Sequence, residues 1–158
     1  MDSRILLRAA VLLGVFRAVC IAPVTPKEPL VGQREPLAEK YLHQRLALWQ
    51  ERLNLQDWKI SVIQSHPSSL RAGTLGNIHW DADQQTAVIR VLDASEYHVP
   101  MNAALKDMEF TVVHELIHLE LSSLTRNFKS RSEESYSGEE QAVNRVADAL
   151  LKLDSPAR

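Results

Sequence analysis

Apolar residues recur along this chain at two periods, and the switches between them mark its elements. From Pro36 to Leu53 the positions Leu37, Ala38, Tyr41, Leu42, Leu46, Leu48, Trp49 and Leu53 fall mostly three or four apart. That spacing predicts a helix with one apolar face, and Pro36 suits its first turn. The run Trp58-Lys59-Ile60-Ser61-Val62-Ile63 instead alternates bulky apolar with polar, as a half-buried strand does. Pro67, Ser68 and Ser69 mark a turn. GNIHWD (76–81) and TAVIRVL (86–92) are two further strand candidates, joined by a polar turn from Asp81 to Gln85 and so able to pair as a hairpin. Helical spacing returns at Leu105, Met108, Val112, Val113, Leu116, Ile117 and Leu121, with Asn102 as the expected cap. Residues 125–138 (TRNFKSRSEESYSG) read as a polar, serine-rich loop. A last helix is expected from about Gly138 to Leu153, with Val143, Val146, Ala147, Leu150 and Leu151 on its apolar face. The expectation is an α+β domain: an N-terminal helix, a small and mostly antiparallel three-stranded sheet, then two helices. No internal repeat is present.

The first 35 residues are of another kind. Residues 1–22 carry Arg4 and Arg8, an apolar run from Ala9 to Phe16, then Arg17 and the small residues Ala18 and Cys20. A basic start, a short apolar core and a small-residue cleavage region make a secretory signal, with an N-terminal extension as the alternative. Pro23, Pro26, Pro29 and Pro36 follow within fourteen residues. They oppose a continuous helix and favour an extended linker over 23–35, so the folded domain is expected over 36–158. If residues 1–20 act as a signal the protein is exported, to a periplasm or to the outside; otherwise it is cytoplasmic.

Composition narrows the function classes. With 158 residues, 45% of them apolar and 24% charged, the chain has one domain's worth of ordinary globular sequence. A net charge of -2 gives no basic surplus for nucleic acid, and no apolar run reaches the length of a membrane span. The single cysteine, Cys20, excludes an intramolecular disulfide and a cysteine-based zinc cluster. Oligomeric state leaves no mark in the sequence.

The chemistry concentrates at His114-Glu115-Leu116-Ile117-His118, an HExxH segment. Residues four apart on a helix point the same way, so two imidazoles from adjacent turns can hold one zinc ion. Glu115 between them can take a proton from a water polarised by that ion. A chance HExxH is expected in roughly one or two chains per hundred of this composition. Here it lies inside TVVHELIHLEL, an apolar helix in which unpaired histidine and glutamate side chains are costly. A catalytic zinc needs a third protein ligand and an open position. No histidine follows His118, and position 124 is a leucine, so the longer HExxHxxGxxH pattern is absent. The downstream carboxylates are Glu120, Glu133, Glu134, Glu139, Glu140, Asp148 and Asp154. Glu120 follows too closely on the same helix, and Glu133 and Glu134 fall in the expected loop. Glu140 shares a helix face with Val143, Asn144, Ala147 and Leu151 and is the first choice; Glu139 is the second. Asn144 is placed to orient a ligand from behind. For stabilising developing negative charge, Tyr136 is the nearest donor in sequence to Glu140, with Tyr97, His66, His79 and His98 as further candidates. His79 and Trp80 are expected on a strand bordering the cleft, where an edge strand can pair with an extended peptide.

HELIH followed about twenty residues later by EEQAVNRVADALL resembles the gluzincin-type zinc metallopeptidases, and the length suggests their small, minimal members. The order of elements resembles theirs over roughly residues 36–153. The resemblance implies a zincin-like fold with an active-site helix and a glutamate helix, one zinc ion per chain on the two motif histidines and a glutamate of the following helix, and Glu115 as general base. It implies hydrolysis of peptide bonds in a peptide or protein. One departure is Asn144, where the family often has Asp. A second reading is a non-catalytic zincin-like module that binds metal or another protein.

Overall fold

The structure, a computed structural model, describes residues 28–125 and 133–154. The expected signal, the prolines Pro23 and Pro26 and much of the serine-rich stretch lie outside the described residues. The described part is α+β, with three helices and a mixed three-stranded sheet. Helix α1 (Val31–Arg52) leads into β1 (Lys59–Ser65), β2 (Gly76–Asp81) and β3 (Thr86–Leu92), and then into α2 (Met101–Thr125) and α3 (Glu133–Asp154). No helix among the described residues is long and apolar enough to cross a membrane.

Helix α1 starts five residues before Pro36 and contains it, so residues 31–35 are helix and not linker. Proline removes only the hydrogen bond that its own N–H would make to the carbonyl four residues back, here Gly32 in the exposed first turn. The Gln33 side chain caps that turn by accepting from Leu30 N–H at 3.2 Å. At the other end Asn54, with φ at 55°, closes the helix in the left-handed conformation that asparagine tolerates. Helix α2 begins at Met101, and its first N–H donates to the Glu28 carboxylate at 2.7 Å, so a distant acid and not Asn102 caps it. Helix α3 begins at Glu133, five residues before Gly138. The serine-rich composition masked its first turns, because serine prefers loops by propensity while tertiary contacts decide.

The sheet has the order β1-β3-β2. The expected hairpin is present, with Ile78 opposite Ile89 in an antiparallel pair. Strand β1 pairs with β3 in parallel, Val62 opposite Ile89, so the sheet is mixed and not mostly antiparallel. Alternation of apolar residues is the same in both arrangements, and the direction of pairing follows from the path of the connection. Ile60, Val62, Ile78, Ala87, Ile89 and Val91 all face one side, where they meet Leu42, Leu46 and Trp49 of α1 and Met108, Val112 and Leu116 of α2. Helix α3 adds Val143 and Ala147 to the same core.

A polar clasp joins the three helices on the far side of this core. Glu109 of α2 is buried and accepts from Tyr41 Oη, from Arg45 Nε and from Trp49 Nε1, the last at 2.7 Å. Arg45 also pairs with Asp154 at the end of α3, as does Arg52. Removing the carboxylate leaves an indole N–H and a phenol without their acceptor and the Arg45 guanidinium with Asp154 alone. Glu109→Ala is expected to cost about 3–5 kcal/mol and to lower Tm by roughly 10 °C; thermal unfolding followed by circular dichroism checks this, and a shift of a degree or two would mean the clasp adds little.

Candidate functional site

The buried face of α2 and the first half of α3 bring three side chains to one point. His114 and His118 lie on adjacent turns of α2, and α3 packs across them through Val143 and Ala147. His114 Nε2 and His118 Nε2 are 3.0 Å apart. Glu140 faces both, with Oε2 at 3.4 Å from His114 Nε2 and Oε1 at 3.2 Å from His118 Nε2. Glu139 stands on the outer side of the ring, with Oε1 at 3.4 Å from His118 Nδ1. Asn144 Oδ1 lies 3.0 Å from His114 Nδ1.

These outer contacts decide where the lone pairs point. Asn144 Oδ1 and Glu139 Oε1 are acceptors, so each neutral imidazole carries its proton on Nδ1. Both Nε2 lone pairs then face inward, together with the Glu140 carboxylate. With the proton on each Nδ1, three acceptors converge, an arrangement that a cation relieves. A tetrahedral ion with bonds of about 2.0–2.1 Å holds its ligand atoms about 3.3 Å apart, and one ligand atom from each of the three side chains lies within 4.8 Å of the others. The donor set of His114, His118 and Glu140 can therefore hold a metal ion.

Of the residues expected from the sequence, His114, His118, Glu140, Glu139, Asn144, Glu115 and Tyr136 all line one cleft of about 790 Å³, and so do His79 and Trp80 of β2. Tyr97 is buried elsewhere, His98 is exposed away from the cleft, and His66 caps a turn and faces Glu96. Asp154 belongs to the helix clasp, Asp148 pairs with Lys152, and neither lines the cleft. Phe110, Thr111, Arg71 and Asn77 also line it. Phe110 and Thr111 sit one turn before His114 and Glu115, so the helical period already placed them on that face; nothing local marked Arg71 or Asn77.

Glu115 lies beside β2 because that strand approaches α2 closely. A Cβ on Gly76 would meet Thr111 Cγ2 at 2.3 Å and the Arg90 carbonyl at 2.7 Å, so only glycine permits this approach. Burial there pushes the Glu115 carboxyl up to about 7, with the Glu140 charge adding to it. Burial lowers the pKa of His114, and the neighbouring His118 adds to this. Burial also raises the Tyr136 hydroxyl, followed by its proximity and hydrogen bond to Glu140.

The chain matches no protein-family model, no curated protein and no solved structure. The site therefore rests on its own geometry.

The raised carboxyl sets a pH dependence for the metal-free protein. Glu115 gives up its proton near 4.5 when unfolded and near 7 when folded. Between these values the folded protein holds a proton that the unfolded chain has released, so this group's contribution falls as pH rises, by about 3 kcal/mol across the window. Glu115→Gln removes the penalty. With metal stripped, the variant is expected to unfold at higher urea than wild type at pH 8, and at the same urea near pH 4. The His114 contribution is common to both proteins and cancels. Equal midpoints at pH 8 would show that the carboxylate is solvated when folded.

Proposed function

We propose that this protein is a zinc-dependent metallopeptidase, on a zincin-like arrangement of the minimal gluzincin kind. The single observation that carries the reading is the convergence of two imidazole lone pairs and a carboxylate beside a second, buried carboxylate that is not part of the donor set. Two nitrogens and one oxygen suit zinc and leave a position open. When bound, zinc supplies a Lewis acid that polarises water and the scissile carbonyl.

The chain's own residues supply the rest. His114, His118 and Glu140 hold the ion, and Asn144 and Glu139 hold the two rings in the orientation that turns Nε2 inward. Glu115 takes the proton of the attacking water and hands it to the leaving amine. A structural metal site has no use for such a group, and this weighs against the non-catalytic reading. Tyr136, on the rim beside Glu140, donates to the carbonyl oxygen as charge builds there. Strand β2 is an edge strand, paired on one side only, and it runs along the cleft. Its free backbone groups can align an extended peptide over Glu115. Export, as expected from residues 1–20, would set this hydrolysis outside the cytoplasm.

Metal content by mass spectrometry on the full chain tests the site, with peptide hydrolysis as the second readout. About one zinc per chain is expected in wild type, retained in Glu115→Gln and lost in Glu140→Ala. Glu115→Gln should lower kcat by about 10²–10⁴-fold. Loss of metal in Glu139→Ala with retention in Glu140→Ala would exchange the two roles. No bound metal after zinc is supplied would remove the reading.

A further inference from the structure

Arg71 is the one Lys or Arg side chain among the described residues that line the cleft, where the acids are Glu115, Glu139 and Glu140. It follows β1 in the connection that carries the chain over to β2. Its guanidinium carbon lies 5.9 Å from the centre of the Tyr136 ring, and it hydrogen-bonds the Tyr136 hydroxyl, which also bonds Glu140. Tyr136 thus stands between the guanidinium and the Glu140 carboxylate. No carboxylate pairs with Arg71 among the described residues.

Arg71 is exposed at the rim beside the Tyr136 ring, open to whatever enters the cleft. A guanidinium presents a planar fork that grips a carboxylate through two parallel hydrogen bonds. Along an extended chain each residue advances about 3.3 Å, and only the Tyr136 side chain separates Arg71 from Glu140, so the guanidinium faces a residue close to the bond that is cut.

We propose that Arg71 recognises a carboxylate of the peptide, close to the bond that is cut. This rests on the reading of the cleft as a peptide site. The carboxylate has two possible sources, an Asp or Glu side chain or the C-terminus of a short peptide, and the same guanidinium takes either.

Binding can be read without turnover by fluorescence anisotropy, using the full chain with Glu115→Gln, loaded with zinc, and dye-labelled pentapeptides. One matched pair has Glu against Gln inside a C-terminally amidated sequence. The other has a free acid against an amide at the end of a neutral sequence. Tighter binding of the charged member by at least about tenfold is expected in one pair or both, and the pair that discriminates names the source. Adding Arg71→Ala should abolish the discrimination while leaving the neutral peptides nearly unchanged, and Arg71→Glu should invert it. If Arg71 merely steadied Tyr136, both members of each pair would weaken together. That result, no discrimination in either pair, or no binding of any peptide would overturn the proposal. Hydrolysis by wild type, measured in parallel, separates the two readings: discrimination without hydrolysis keeps the carboxylate site and rejects the peptidase, and hydrolysis without discrimination does the reverse.

Discussion

The buried carboxylate of Glu109 is the fixed point on which the geometry of this protein depends. It draws Tyr41, Arg45 and Trp49 of α1 onto α2, and through Arg45 it reaches Asp154 at the end of α3. A lone carboxylate in such a position is costly, whereas one that receives three donors is not. The clasp thus ties α1 and the end of α3 to one turn of α2. Asp154 is fourteen residues beyond Glu140, about 21 Å along the helix. Anchored at that end and packed through Val143 and Ala147, α3 has little freedom to rotate, and its acidic start is held over His114 and His118.

A second constraint acts from the sheet. Gly76 lets β2 come so near α2 that a methyl group has no room, and the face of β2 there lies against Glu115. The same approach buries the carboxyl and raises it. Closeness of strand to helix is thus one cause with two effects: it shapes one wall of the cleft, and it raises the carboxyl that lies against it.

Much of this was legible in the chain. Periodicity located the helices and strands, and HExxH on an apolar helix fixed the facing of His114, Glu115 and His118, because these features depend on spacing alone. The preference for Glu140 over Glu139 followed from the helix face shared with Ala147 and Asn144. What was not legible depends on contacts between distant segments. The parallel pairing of β1 with β3 leaves no trace in alternation. The early start of α1 and the helical Ser135-Tyr136-Ser137 contradict local propensity, and packing overrules propensity at modest cost. Glu109 looked like any helix glutamate, since nothing nearby in sequence announces Tyr41, Arg45 and Trp49 as its partners. Arg71 was invisible for the same reason: its meaning comes from Tyr136, sixty-five residues away.

The site also carries a cost that explains its form. Two inward lone pairs, a carboxylate facing them and a second carboxyl held near 7 are all unfavourable in a metal-free protein. Folding must overcome these repulsions with the apolar core and the Glu109 clasp. A bound cation reverses the sign of the largest of them at once, because the acceptors that repel one another all attract it. Binding free energy at such a site adds to folding free energy, so the rigid clasp and the electrostatically frustrated cluster belong together. The clasp keeps His114, His118 and Glu140 together, and a cation bound there would not have to gather its ligands.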